Sequence, residues 1–260
     1  MNIRAIWLIA KSVLIEAVRR REIYIVIFIA LTLIGLIMTI DFFHLEGLSK
    51  FYREMALKIM SAATALSVIV LSARQLPREF EKRTIYPLLA RPISRVSFLV
   101  GKMLGVLLAA LFCFALFMII FIAGNLYLGA GIPWIMFLQY VYLQMIMLLV
   151  LTTLCFWLSM VFNLDAAITV GVLLFILGAT MMSMSITLFP LITDFGRVVL
   201  KGFTYLVPQV SLFDLSEKTV HAERWDPLGA KTLLKLTLYG GIFSSLYFSF
   251  ALLCFRRRPL

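Results

Sequence analysis

Two carboxylates, Glu79 and Glu81, stand among seven basic residues in the stretch from Arg74 to Lys102. Its central part reads Pro77-Arg-Glu-Phe-Glu-Lys-Arg-Thr-Ile-Tyr-Pro-Leu-Leu-Ala-Arg-Pro-Ile-Ser-Arg95. The chemistry open to these groups is ion pairing and docking. Glu79 and Arg83 are one helical turn apart with the acid on the N-terminal side, the favourable order for an intrahelical pair. Pro77 is expected to end the preceding helix, and Arg78 to Tyr86 then makes about two turns before Pro87 stops them. Leu88-Leu89-Ala90 forms an apolar knob between Pro87 and Pro92, and Ser94 is placed to cap the following helix. A basic loop that merely faced solvent would need neither a proline-bounded helix nor an exposed Leu-Leu. The expected docking surface is therefore Glu79, Phe80, Glu81, Thr84, Ile85, Leu88 and Leu89.

Several other chemistries are missing. There is no Gly-x-x-x-x-Gly-Lys-Ser/Thr loop, and Gly101-Lys102 lacks its glycine spacing, so the chain is not expected to hydrolyse ATP. His44 and His221 are isolated, without the His spacing of a zinc site. Met145, Met147, Met160, Met181, Met182 and Met184 carry thioethers of the kind Cu(I) prefers, but methionine is more commonly an adaptable filler of apolar packing. Cys113, Cys155 and Cys254 each lie within an apolar run and read as small buried hydrophobes. No metal or cofactor is expected on this chain. Clustered Asp, Glu or His within the apolar segments is lacking, which disfavours both an ion-driven carrier and an intramembrane enzyme.

The elements that must position these groups are membrane spans. Of the 260 residues 63% are hydrophobic and 14% charged, and the mean hydropathy is +1.03. A soluble globular domain is nearer 45–50% apolar, so the chain is read as a polytopic membrane protein. Six segments are expected to cross about 30 Å of hydrocarbon: Ile23 to Ile40, Met55 to Ala73, Phe98 to Gly124, Trp134 to Phe162, Ala166 to Phe189 and Lys235 to Phe255. Lys58 falls inside the second and must reach toward the headgroups. Asn163-Leu164-Asp165 is a tight turn in which Asp165 can cap the next helix.

The net charge of +11 reads as topology, with no nucleic-acid partner, because the basic residues cluster beside the apolar segments. The positive-inside rule puts both termini and the Arg74 to Lys102 stretch in the cytoplasm. Neutral polar groups populate the spans. Most are expected to bond between helices or to their own backbone, and Gln139, Gln144, Thr152, Thr180 and Ser183 are the candidates for a pathway.

Before the first span, Ile3, Ile6, Trp7, Ala10, Val13, Leu14 and Ala17 recur at helical spacing, with Arg4, Lys11, Glu16 and Arg19 on the other side. This predicts an interfacial helix over 1–21 that favours anionic lipid headgroups, or a simple basic anchor. Lys11 and Glu16 interrupt its apolar run, so a cleavable signal peptide is not expected. The outer segment 190–234 is too long for a plain connector. Pro190 and Pro208 punctuate it, and Leu191, Phe195, Val198, Val199 and Phe203 predict a short amphipathic helix at the outer leaflet.

Glu79 and Glu81, Thr84-Ile85, Leu88-Leu89-Ala90, Pro92-Ile93-Ser94-Arg95 and Gly101-Lys102, in this order between the second and third spans, resemble the permeases of type-2 ATP-binding-cassette (ABC) exporters. That family includes a branch serving copper-enzyme maturation. One departure is Arg83, where the family usually has glycine. The resemblance implies an all-α integral membrane fold of six transmembrane helices with an N-terminal interfacial elbow helix and both termini cytoplasmic. It implies a single permease domain over 1–260, with a coupling loop at 74–102 and an external cap at 190–234, multi-pass in the bacterial inner membrane. It also implies a separate ATPase that holds ATP and Mg, a second permease copy or close relative, and contact with membrane lipids. A rival reading is a non-transporting scaffold that transmits ATPase-driven motion to an external protein.

Overall fold

A computed structural model describes residues 3–19, 24, 27–29, 31–32, 34–35, 48–81, 94–129, 131–188, 193–198, 202, 207–221, 223 and 225–257. These residues are overwhelmingly helical, with no strand among them. The helices are α1 (Ile3–Val18), α2 (Leu48–Glu81), α3 (Arg95–Tyr127), α4 (Trp134–Val161), α5 (Leu164–Leu188), a 3-10 turn at Val210–Phe213, the short α6 (Ser216–Val220) and α7 (Ala230–Arg257).

Among the described residues, four helical stretches are long and apolar enough to cross a membrane: Lys50–Phe80, Arg95–Tyr127, Trp134–Val161 and Ala230–Arg257. Within α5, the stretch Leu164–Thr180 is also apolar. The expected first span falls largely outside the described residues, and those described between 24 and 35 are helical. Ser94 begins α3 as expected, its Oγ accepting from the Ser97 amide at 3.1 Å. At the other end Gly129 takes φ 62°, the left-handed conformation that stops a helix at little cost to glycine. In the α4–α5 turn, Asn163 rather than Asp165 occupies the boundary: its carbonyl accepts from the Ala167 amide, while Asp165 lies within the first turn of α5.

Pro77 departs from expectation. It sits inside α2, which runs on to Glu81, so it does not end the helix. A proline removes one backbone bond. The turns on either side are held by tertiary contacts, since Leu76 and Ala73 are fully buried and Glu79 is bonded to α3. With 34 residues α2 is about 50 Å long, more than the hydrocarbon needs, so it carries the chain past the bilayer.

The bundle has two ends. At the end carrying the 82–93 segment, α1 lies across α3, and Ile9, Val13, Leu76, Phe98, Phe156 and Phe255 form a buried cluster. Gly101 and Gly105 permit that approach: a Cβ at Gly105 would lie 2.8 Å from the Ala10 carbonyl oxygen and 2.5 Å from Val13 Cβ. The buried stripe of α1 is Ile6, Ile9, Ala10, Val13 and Ala17, whereas Ile3 and Trp7, expected on the same face, are exposed. The apolar set is therefore split between α3 and the surroundings. At the opposite end a larger cluster includes Tyr52, Phe114, Phe117, Phe137, Tyr140 and Phe213. Residues 207–220 seal this end, with Val207, Val210, Phe213, Leu215 and Val220 buried and the Pro208 carbonyl seated on Gly178. Phe195 and Val198 are exposed; Leu191, Val199 and Phe203 lie outside the described residues. Along α7 an apolar stripe of Leu234, Leu238, Ile242, Leu246, Phe250 and Leu253 faces outward, the arrangement lipid demands.

Candidate coupling site and pathway

The two ends of the 82–93 segment are tied together across its base. Lys102 lies about two turns into α3, too far from the helix end to reach bulk water easily, and its side chain is only 6% exposed. Its ammonium donates to Glu79 Oε1 at 2.6 Å and to Gln75 Oε1 at 3.3 Å, both on α2. Glu79 is itself 16% exposed, so the pair is largely desolvated and cross-links the two helices that flank the segment. Gln75 supplies a further acceptor, as a buried ammonium requires when one carboxylate cannot satisfy its three donors. Next to it, Arg78 pairs with Glu16 at 3.5 Å, joining α2 to α1.

An aromatic joint lies beside the ionic one. Phe255, near the end of α7, is fully buried between Phe80 of α2 and Phe98 of α3, with ring centroids 6.2 and 6.0 Å away. Arg95, the first residue of α3, donates from Nη1 to the carbonyls of Phe255 at 3.3 Å and Arg256 at 2.9 Å. These are among the last carbonyls of α7, which have no acceptor role within their own helix, and a cation there also suits the helix dipole.

Among the residues expected to dock a partner, the structure thus brings Glu79 and Phe80 to this base. Glu81 is the last residue of α2. Its side chain, like Thr84, Ile85, Leu88, Leu89 and the Arg83 expected to pair with Glu79, lies outside the described residues. Sequence reasoning missed Lys102, Gln75 and Phe255 as members of this site. The signal was present in part: a lysine two turns beyond a serine cap must be inside the helix and so must find an acid.

The candidate pathway residues are spread out. Gln139 exchanges two hydrogen bonds with the backbone of Leu228, donating to its carbonyl at 3.0 Å and accepting from its amide at 2.9 Å, which pins the chain entering α7. Gln144 is fully buried, accepting from Ser61 Oγ at 3.3 Å and donating to Thr64 Oγ1 at 3.4 Å. Thr152 is also fully buried and donates to the Leu148 carbonyl at 2.6 Å. Thr180 is half-buried and donates to the Ile176 carbonyl at 2.9 Å. Ser183 falls in α5 with its side chain outside the described residues.

A cavity of about 370 Å³ lies between α2, α4, α5 and the 207–220 segment. Lys58, Ser61, Met147, Phe175, Asp214 and Glu217 are among its lining residues. Lys58 pairs with Glu54 at 2.5 Å and is 46% exposed, so its charge stays at the wet end of the helix. Ser61 joins this cavity to Gln144 behind it.

Long apolar helices with outward-facing leucines define an integral membrane protein. The chain matches the family described as ABC-2 family transporter protein over residues 7–258, and it belongs to that family. It is therefore a membrane-embedded permease subunit of an ABC transporter. Members of this family are the membrane component rather than the ATPase and normally work with an ATP-binding-cassette partner. No curated protein is significantly similar to the chain.

Proposed function

We propose that the chain is the permease of an ABC exporter in a bacterial inner membrane, driven by a separate ATPase that docks on the Arg74 to Lys102 stretch. The observation that carries this reading is the closed base of the 82–93 segment, where Glu79–Lys102 and Phe80–Phe255–Phe98 join both flanking helices. A segment anchored on both sides passes a push to the bundle, whereas one tethered at a single side would absorb it. Glu81, Thr84, Ile85, Leu88 and Leu89 form the contact surface, with Glu79 and Phe80 at its root. The segment and both termini are cytoplasmic, six helices span the membrane, and a second copy or close relative completes the pathway. ATP and Mg belong to the partner. Nucleotide then biases a two-state bundle, and the Lys58 cavity is the external end of the route.

Purification of the chain from its native membrane in mild detergent should recover a soluble ATPase in one-to-one ratio. Leu88→Asp or Glu81→Lys should abolish its substrate-coupled hydrolysis and leave membrane insertion intact. Recovery without an ATPase, or unchanged coupling in both variants, overturns the assignment. The scaffold reading is favoured by one observation: Gln144 and Thr152 are fully buried and bonded inside the bundle. Gln144→Leu separates the two readings, since loss of flux with intact assembly requires a pathway.

A further inference from the structure

The contacts of Arg95 and Phe255 reach beyond the flanking helices to the end of α7. We propose that these two positioning residues make α7 a strut of the coupling machinery, delivering displacement of the adjoining ends of α2 and α3 to residues 207–221; the inference rests on the docking reading above. At its loop end α7 is held by three groups at once: the Arg95 bonds to two terminal carbonyls, the Arg95 guanidinium 5.9 Å from the Phe255 ring centre, and the Phe80 and Phe98 rings around Phe255. In its first half, at Tyr239, α7 grips the external segment just as specifically. The Gln209 amide donates to the Tyr239 hydroxyl at 3.0 Å, and the Phe213 ring lies 6.0 Å from that of Tyr239. Gly240 lets α7 close on Ile146 of α4 and on Phe213.

Between these grips, from Tyr239 to Phe255, α7 runs about 24 Å as continuous helix without proline. A helix of that length transmits a displacement of one end to the other, provided both ends are fixed to the parts that move. Its outward stripe is apolar, and its inner face packs along α4, with Trp157 stacked on Tyr247 at 5.8 Å, so the two helices would carry the displacement together. α2 reaches the segment through Pro77, where the helical ladder is one bond short and contacts of Leu76 and Glu79 hold the turns on either side.

The test uses the permease with its co-purified ATPase in liposomes, with Cys254 replaced by alanine and spin labels placed at Tyr127→Cys and Trp225→Cys, both exposed positions. The distance between labels is measured without nucleotide and with ATP–vanadate. Wild type should show a nucleotide-dependent change. Phe255→Ala and Arg95→Met should keep the ATPase bound and the resting distance unchanged, yet reduce the shifted population by about 2- to 30-fold, the range expected when a coupling contact is lost. Arg95→Lys, which keeps a donor and charge, should restore part of the change. An unchanged shift in Phe255→Ala and Arg95→Met, or no shift in wild type with the ATPase present, overturns the strut and leaves the docking reading standing. Loss of the ATPase from both variants also overturns it, because the contacts would then serve the docking surface alone. Absence of any ATPase from wild type is instead the failure of the docking reading.

Discussion

The two ends of the bundle use charge differently. At the loop end Lys102 and Glu79 meet at 2.6 Å with side chains 6% and 16% exposed. At the opposite end Lys50 and Glu223 meet at 3.0 Å, but with 40% and 77% exposed. The separations are similar and the consequences are not, because water screens the second pair and is largely absent from the first. A buried pair has already lost its hydration, so each partner depends on the other. The loop end is thus built to hold one geometry, whereas the opposite end tolerates rearrangement of its charges.

The largest effect should come from removing one member of the buried pair. Lys102→Met or Glu79→Leu alone should cost about 3–5 kcal/mol, read as denaturant-induced unfolding in detergent, because an uncompensated charge stays in a low-dielectric site. The double variant Glu79→Leu/Lys102→Met should lie much nearer wild type, since two apolar groups can replace a desolvated pair. Equal losses in the single and double variants would mean that packing, not charge, dominates this joint.

An intermediate effect is expected at the opposite end, where polar bonds replace buried charge. Gln139→Leu removes the donor and acceptor that meet Leu228, leaving its amide and carbonyl without those partners at the entry to α7. The cost should be about 1–3 kcal/mol, seen as faster hydrogen exchange around 225–230 before global unfolding. Unchanged exchange there would show that water replaces the glutamine without penalty.

The difference between the ends also explains what the sequence could reveal. Apolar periodicity and length gave the helical membrane class, Ser94 announced the start of α3, and the ordered motifs around Glu79 to Lys102 pointed to the family. Those signals are local. Pro77 misled because the propensity of one residue was outweighed by tertiary contacts of Leu76 and Glu79 with α3, which no local pattern reports. Phe255 looked like one more apolar residue near the end of a span; only the fold brings it between Phe80 and Phe98. Gln139 and Gln144 were singled out for the same reason, a costly amide among apolar residues, yet one ties a loop and the other a helix-helix contact beside the cavity. A residue type states that a polar partner is required, and the topology decides which partner it finds.

The smallest effect should come from the exposed pair, and it is the one that tests whether exposure sets the ranking. Lys50→Ala removes an ammonium that reaches Glu223, 173 residues away in sequence, and so joins the start of α2 to the external segment. A contact between distant segments looks important on topology alone. With side chains 40% and 77% exposed, however, both groups can be hydrated when separated, and the expected cost is at most about 1 kcal/mol, diminishing as salt is raised to 1 M. Unfolding measured for Lys50→Ala and Lys102→Met at low and high salt should therefore diverge: the first difference fades, and the second persists because the site is dry. A large, salt-insensitive loss in Lys50→Ala would show that the Glu223 side is locked as firmly as the loop end, and would remove the asymmetry between the two ends.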